Sequence, residues 1–215
     1  MMILSDLNSL ANQFIAELRS EHIQKDSMRF RKNLERLGEI LAYEISKTMI
    51  YENNQIQTPL GSITIPLIKS NIVLAVILRA GLPFYQGFLN YFDKAESAFI
   101  AAYRGGHNQD DHSFDIKMEY LASPSLEGKV LILIDPMLAT GRSLQKAYEN
   151  ICNNGQPLNT HIACAIASRQ GVEFIKTNIP NHQLWTGAID EEMNQKSYII
   201  PGLGDAGDLS FGNKL

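Results

Sequence analysis

VLILIDPMLATGRS, residues Val130–Ser143, joins a continuous apolar run to a short loop of small and hydroxyl-bearing residues. The run Val130–Ile134 has the length of a β-strand, and its lack of alternation predicts burial on both faces, as in a parallel sheet. The loop after Asp135 leads into a helical pattern that is predicted to begin near Ser143. Strand, loop and helix in this order form one unit of a parallel α/β sheet.

The same alternation continues along the chain from residue 72 onward. Three further apolar runs of strand length are Ile72–Leu78, Ala98–Tyr103 and Ile162–Ala167. Helical patterns lie between the runs, at Pro83–Tyr91, Ser143–Asn153 and Gly171–Thr177. The alternation predicts an α/β fold with a parallel sheet, right-handed crossovers and flanking helices. No linker or repeat interrupts the pattern, so residues 1–215 are expected to form a single domain.

The N-terminal part, residues 1–55, is predicted to be helical. Apolar residues recur at helical spacing in two sets, Leu7, Leu10, Phe14 and Leu18, then Phe30, Leu34, Leu37, Leu41 and Ile45. The polar stretch Arg19–Arg31 between them is predicted to be a connection, with partner contacts as the alternative. After the turn at Thr58–Gly61, Ser62–Ile68 fits a short strand or hairpin arm. The amphipathic helices favour a homodimer or higher homo-oligomer, although they could equally cover their own sheet.

Composition narrows the class of protein. The chain has 215 residues and a net charge of −4, which disfavours a nucleic-acid partner. No apolar run approaches the roughly 20 residues that cross a bilayer, and the N-terminus is a poor signal peptide. The two cysteines, Cys152 and Cys164, are expected to be reduced and partly buried. These features predict a cytoplasmic protein without a membrane or nucleic-acid partner.

The loop that follows Asp135 is a candidate phosphate site. It presents backbone N–H groups, the hydroxyls of Thr140 and Ser143, and a helix N-terminus to one point. Asp135 stands at the carboxyl end of its strand, where open α/β sheets bind ligands, and a carboxylate there can accept hydrogen bonds from ribose hydroxyls. The alternative is a capped strand–helix turn with an exposed aspartate.

Other polar residues are given ordinary structural roles. The histidines lack metal-ligand spacing and are predicted to lie at the surface; they include His107, His112, His161 and His182. Trp185 falls in a predicted strand and is expected in the core. The acidic run Asp190–Glu192 is predicted to be a solvated turn.

Three segments resemble the uracil phosphoribosyltransferases, a family of type I phosphoribosyltransferases. Asp135–Ser143, DPMLATGRS, resembles the loop that binds 5-phosphoribosyl diphosphate (PRPP), whose usual form is DPMLATGGS. Ile77–Leu82, ILRAGL, resembles a second family segment. Tyr198–Asp208, YIIPGLGDAGD, resembles the uracil-binding segment, which Phe211–Gly212 continues. The three occur in the family's order, and the resemblance covers most of the chain from Ile72 onward.

The resemblance implies transfer of the phosphoribosyl group of PRPP to uracil, giving UMP and diphosphate. It implies that Mg²⁺ is held mainly through PRPP, with no protein metal ligand. The residues implied to bind PRPP are Arg79, Arg104, Asp135, Pro136, Met137, Leu138, Ala139, Thr140, Gly141, Arg142, Ser143 and Asp205. Those implied to bind uracil are Ile199, Gly204, Asp205 and Ala206, within the segment 198–212. The implied catalytic residues are Asp135, Asp205 and Arg104. Residues 135–143 are called the phosphate loop below, and residues 198–212 the base segment.

Residues 105–120 are predicted to form a flexible β-hairpin flap over the site. The polar stretch Gly105–Asp111 precedes the alternating stretch Ser113–Met118, and an excursion of this kind is often functional. The flap lacks the acidic sequence usual in the family, which leaves catalytic efficiency and activation by GTP open. Arg142 replaces a glycine of the usual loop, so it would be strained if that position had positive φ. Otherwise Arg142 contacts phosphate or points to solvent.

Two other functions stay open. A protein of this fold could bind PRPP or UMP in a regulatory role with weak catalysis, which the altered flap and Arg142 favour and the intact base segment disfavours. A phosphoribosyltransferase for another base is disfavoured because purine enzymes of this fold typically carry paired acidic residues before the loop. Here Ile134 precedes Asp135.

Overall fold

The computed structural model of the chain describes the backbone of residues 1–107 and 114–214, and the side chains of residues 1–101 and 119–214. The strands are β1 Met2–Ile3, β2 Tyr51–Thr58, β3 Gly61–Ile68, β4 Ile72–Leu78, β5 Glu96–His107, β6 Phe114–Ala122, β7 Val130–Ile134, β8 Met137–Leu138, β9 Asn159–Ser168, β10 His182–Asp190, β11 Glu192–Met193 and β12 Ile199–Ile200. The α-helices are α1 Leu10–Arg19, α2 Ser27–Ser46, α3 Gly81–Tyr91, α4 Arg142–Ile151, α5 Arg169–Asn178 and α6 Ala206–Phe211.

A mainly parallel sheet forms the centre of the fold. Its strands run in the order β1-β10-β9-β7-β4-β5-β6, and β8 adds to β9. The pairing is parallel from β1 to β5, while β6 pairs antiparallel with β5. The predicted α/β fold with a parallel sheet and flanking helices is confirmed. All five residues of β7 are buried, as expected for a strand covered on both faces.

Alternate side chains of the central sheet pack into two hydrophobic clusters, one on each face of the sheet. Val73 and Ala75 of β4 pack into a cluster with residues of α4 and α5. Leu74 and Val76 of the same strand pack into a larger cluster with residues of α1, α2 and α3. Because successive side chains of a strand point to opposite faces, one apolar run supplies both layers. The N-terminal helices therefore cover one face of their own sheet.

The N-terminal part differs from the predicted helical segment of residues 1–55. The helices end at Ser46, and Tyr51–Thr58 instead forms β2, which pairs residue by residue with β3. Met2–Ile3 forms an edge strand on β10. The helical spacing of apolar residues stops at Ile45, and a polar sequence such as that of β2 gave no strand signal. Asp26 caps α2, since its side chain accepts from the Arg29 N–H at 3.1 Å, so the connection within residues 19–31 ends at Asp26.

Helices α2 and α3 cross with their backbones in direct contact. Gly38 of α2 and Gly87 of α3 face each other, and both are buried. A Cβ added at Gly87 would fall on the Glu35 carbonyl oxygen and 2.7 Å from the Glu39 nitrogen. Only glycine permits this approach, because any side chain would separate the two helices.

The hairpin of β2 and β3 stands apart from the central sheet. It forms a two-stranded sheet of its own, and every residue of β3 is exposed. Its exposed apolar side chains are Tyr51, Ile56, Leu60, Ile63, Ile65, Leu67 and Ile68. A strand or hairpin arm was expected over residues 62–68, and β3 confirms it.

Two polar residues predicted at the surface are buried. His161 is 5% exposed, and the Trp185 indole N–H donates to its Nδ1 at 3.0 Å. Asp190 is 7% exposed and pairs with Arg19 of α1 at 2.8 Å, while Glu191 and Glu192 are exposed. The surface prediction for His161 and the solvated-turn prediction for Asp190 are wrong, because each partner lies far away in sequence. Trp185 is in the core, as predicted.

Burial of His161 makes folding sensitive to acid. Burial lowers the pKa of His161 from 6.5 to about 4. Between pH 6.5 and pH 4, His161 therefore binds a proton in the unfolded chain but not in the folded chain. The stability that is present above pH 6.5 is lost as the pH falls towards 4. From pH 7 to pH 5 we expect a loss of about 2 kcal/mol in the free energy of unfolding from this residue.

Urea unfolding at the two pH values measures this loss. His161→Gln should remove that share of the acid sensitivity, whereas His22→Gln, at an exposed position, should keep it. Equal pH dependence in both variants would contradict the assignment to His161.

Candidate active site

A cavity of about 870 Å³ opens at the carboxyl ends of β4 and β7. The three segments that carry the family resemblance meet there. The lining residues implied to bind ligand are Arg79, Asp135, Met137, Leu138, Ala139, Thr140, Gly141, Ser143, Ile199, Gly204, Asp205 and Ala206. Glu119 and Lys214 also line the cavity, and neither was singled out from the sequence. Segments about 60 residues apart in the chain thus form one site, as expected at a sheet's carboxyl edge.

The phosphate loop runs from the end of β7 through β8 into the first residues of α4. Asp135 follows β7, and its Oδ1 accepts from the Met137 N–H at 3.3 Å. Gly141, whose φ is +78°, is the N-cap residue of α4, and the Thr140 hydroxyl accepts from the Arg142 N–H at 3.4 Å. The first-turn N–H groups of α4 lack partners within the helix, as at helix termini that bind phosphate.

Helix α5 holds the phosphate loop from behind. The Ser168 hydroxyl donates to the Ala139 carbonyl at 2.6 Å and accepts from the Gly171 N–H at 2.8 Å. A Cβ at Gly171 would lie 2.9 Å from the Leu138 oxygen, and one at Gly141 would lie 2.8 Å from the Phe174 ring. Ser168 was not among the predicted site residues. Ser168 follows an apolar run, as Asp135 does, and this position in the sequence is the signal that could have identified it as a site residue.

Arg142 is not strained. It begins α4 and does not have positive φ; Gly141, one residue earlier, takes that conformation. The Arg142 side chain is exposed and does not line the cavity, and its backbone N–H donates to Thr140 Oγ1 at 3.4 Å. Pro136 is buried, and its carbonyl accepts from the Ala165 and Ile166 N–H groups. Pro136 therefore lies behind the cavity and Arg142 beside it, although both were predicted to bind PRPP.

Arg79 connects the end of β4 to the base segment. Its Nη2 donates to Asp208 Oδ1 at 3.3 Å and to the Gly212 carbonyl at 3.4 Å, and the side chain remains 42% exposed. The Leu78–Arg79 peptide bond is cis. A guanidinium at this place faces the cavity and can bind an anion bidentately.

The base segment turns sharply before α6. Gly202 and Gly204 have φ of +55° and +94°, conformations that side chains disfavour. Asp205 caps α6, since its Oδ1 accepts from the Gly207 and Asp208 N–H groups at 2.9 and 3.0 Å. Its Oδ2 lies 3.7 Å from Lys214 Nζ. One carboxylate oxygen of Asp205 is thus committed to the fold and the other is directed to the cavity rim.

The predicted flap is described in part. Residues 105–107 belong to β5 and residues 114–120 to β6, so the antiparallel arms of a hairpin are present. Residues 108–113 and the side chain of Arg104 lie outside the described residues.

The buried thiol next to the loop is not a nucleophile. Cys164 is fully buried, and burial together with the Asp135 carboxylate raises its pKa to about 12. It therefore stays protonated at neutral pH. Both cysteines are free thiols, Cys164 buried and Cys152 half-buried, as predicted.

The fold and site define a phosphoribosyltransferase. The solved structure of AQ2163 protein from Aquifex aeolicus superposes with a TM-score of 0.86 at 32% identity, over 98% of each chain. A hypoxanthine phosphoribosyltransferase from Staphylococcus aureus superposes with a TM-score of 0.51 over 76% of each chain. At 13% identity the second likeness concerns the fold alone.

Sequence comparison gives the family. Residues 7–213 match the family described as uracil phosphoribosyltransferase. The protein of that name from Porphyromonas gingivalis is 51% identical over 209 residues, which cover 97% of this chain and 96% of the relative. That from Pyrococcus furiosus is 36% identical over 206 residues, which cover 94% and 86%. The chain belongs to the uracil phosphoribosyltransferase family.

Proposed function

We propose that this chain transfers the 5-phosphoribosyl group of PRPP to N1 of uracil, giving UMP and diphosphate. The observation that carries the proposal is the single cavity in which the phosphate loop, Arg79 and the base segment meet. It is supported by membership of the family. A regulatory role for the same site has no structural observation in its favour. Of the two features that favoured it, Arg142 is unstrained, and the altered flap lies partly outside the described residues.

Each part of the cavity has a task in this reaction. The bond between ribose C1 and the diphosphate oxygen breaks as a bond from C1 to uracil N1 forms, and the N1 proton is released. The phosphate loop binds the 5-phosphate, and the Asp135 carboxylate accepts from the ribose hydroxyls. Arg79 and Arg104 bind the diphosphate, whose developing charge they stabilise. Holding C1 and N1 in line supplies much of the remaining rate enhancement.

The base segment reads uracil with its main chain. Uracil offers two carbonyl acceptors and two N–H donors along its edge. Ile199, Gly204 and Ala206 line the cavity, and their backbone groups are the proposed partners of uracil. Glycine permits a flat ring to approach them closely. Asp205 faces the PRPP side of the same cavity. We expect these groups to discriminate bases by hydrogen bonding, because an unmatched base leaves them unpaired.

Mg²⁺ fits this site as a companion of PRPP. Oxygen ligands are what Mg²⁺ prefers, and Asp135 and Asp205 line the cavity. Among the described residues there is no cluster of three metal-binding side chains, so the diphosphate itself would supply the main ligands. When bound, Mg²⁺ neutralises charge on the leaving diphosphate.

We also propose a homodimer through the hairpin of β2 and β3. A two-stranded hairpin is marginally stable alone, and seven exposed apolar side chains on this one need cover. A second copy of the chain offers the same surface in return.

The free thiols of Cys152 and Cys164 favour the cytoplasm as the compartment. None of the described helices has the length and apolarity to cross a bilayer. GTP activation and the absence of a nucleic-acid partner stay predictions.

Product formation tests the function. With PRPP, Mg²⁺ and a panel of uracil, orotate and hypoxanthine, we expect nucleotide product with uracil alone, and GTP is added in a parallel series. Product with another base would overturn the choice of base. Binding of PRPP and UMP in calorimetry without turnover would favour the regulatory role instead.

A further inference from the structure

An ion pair outside the cavity contacts both backbone groups of one glycine in the base segment. Arg19 Nη1 and Nη2 donate to the two oxygens of Asp190, each at 2.8 Å. Arg19 Nη1 also donates to the Gly202 carbonyl at 3.0 Å, and the Gly202 N–H donates to Asp190 Oδ2 at 2.9 Å. The pair therefore fixes Gly202 from both sides.

Two further side chains of the N-terminal helical region bind the same segment. The Gln24 side-chain amide, oriented so that its NH₂ faces the carbonyls, donates to the Leu203 oxygen at 2.8 Å and to the Leu18 oxygen at 3.1 Å. Arg31 Nη1 donates to the Ser210 carbonyl at 2.6 Å. Arg19, Gln24, Arg31 and Asp190 are called the brace below. Three of the four lie in the polar stretch, residues 19–31, that the sequence assigned to a connection.

The residues that the brace contacts lie directly before the residues that are proposed to bind the base through their backbone. Gly202 and Leu203 immediately precede Gly204, Asp205 and Ala206, which line the cavity, whereas no member of the brace does. The turn is tight, because a Cβ at Gly202 would collide with the Ile199 carbonyl, and Ile199 also lines the cavity. A shift of Gly202 would therefore move the backbone of both Ile199 and Gly204, which line the cavity.

The ion pair between Arg19 and Asp190 holds both side chains in one fixed orientation. Asp190 is 7% exposed and Arg19 is 22% exposed, so water screens them little. The Arg19 guanidinium grips the carboxylate with two parallel bonds, which fix orientation as well as distance. Backbone groups that read a ligand must be held to about half an ångström, and supporting side chains of this kind provide that rigidity.

We propose that Arg19, Gln24 and Asp190 are positioning residues for the base, acting through Gly202 and Leu203, so that helix α1 and the connection after it set the affinity for uracil. This inference rests on the proposed function. The residues touch neither substrate, and most of the proposed PRPP contacts come from the phosphate loop, Arg79 and Arg104, so the effect falls mainly on the base.

Steady-state kinetics separates positioning from general stability. For Asp190→Asn, Arg19→Lys and Gln24→Ala, we expect the KM for uracil to rise about tenfold while the KM for PRPP stays within about twofold. Arg29→Gln is the matched control, since Arg29 pairs with Glu17 in the same region and is 50% exposed. It should change neither KM. Equal rises in both KM values, or a lower melting temperature with both unchanged, would overturn the proposal.

Binding without turnover keeps the two proposals distinguishable. In calorimetry, the variants should weaken UMP about tenfold relative to the parent protein and leave ribose 5-phosphate unchanged, since only UMP carries the base. This holds even if the parent protein fails to turn over uracil, a result that would count against the proposed function alone. If Asp190→Asn does not fold, Gln24→Ala carries the test, because its loss removes no charge. Parallel weakening of both ligands would refute the brace.

Discussion

Asp135→Asn is expected to lower kcat/KM by about 100-fold and to leave the fold intact. The asparagine oxygen can still accept from the Met137 N–H, so the phosphate loop keeps its shape. The substitution removes the negative charge from the group that accepts hydrogen bonds from two ribose hydroxyls. This loss costs about 1.5 kcal/mol for each hydrogen bond. Since about 1.4 kcal/mol is a factor of ten, the two bonds together give the expected loss.

The matched control is Asp93→Asn, the same chemical change at an exposed position between α3 and β5. It should retain full activity. Unchanged melting temperatures in both variants, measured beside UMP formation, would show that the loss at Asp135 is chemical. A loss below threefold at Asp135 would contradict the assignment of this carboxylate to ribose.

Gly87→Ala is expected to destabilise the protein by about 3 kcal/mol. In an exposed helix the same change would stabilise by up to about 1 kcal/mol, because alanine is the better helix former. Here the added methyl meets the backbone of α2 at Glu35 and Glu39, which cannot move without separating two packed helices. The overpacking penalty therefore decides the sign.

Urea unfolding measures this change, and a lower midpoint at unchanged slope is the expected form. Gly61→Ala adds the same methyl where nothing lies within 4 Å, and it should shift the midpoint little. Comparable midpoints for the two variants would mean that the helices can part without penalty.

Much of the fold could be predicted because its signals are local. The runs Ile72–Leu78 and Val130–Ile134 coincide with β4 and β7, since strands buried on both faces are apolar at every position. Helix α4 begins one residue before the predicted start. Its boundary depends on the left-handed conformation of Gly141, which the sequence alone does not reveal.

What escaped prediction depends on distant partners. Asp190 reads as part of an exposed acidic run until Arg19, 171 residues earlier, is placed beside it. His161 reads as a surface histidine until Trp185 donates to it. For the site, the family resemblance gave the segments and the structure added their supports, Ser168 behind the phosphate loop and the brace behind the base segment.

The brace also bears on the order of events during synthesis. The bonds that Arg19 and Arg31 make to Asp190, Gly202 and Ser210 join residues 171 to 183 positions apart, so the chain must emerge at least as far as residue 190 before any of these bonds can close. Contacts of such long range form late, after local helices and strands have been paired. We therefore expect a ribosome-bound chain that has emerged only as far as Trp185 to hold a formed phosphate loop and to lack a place for the base.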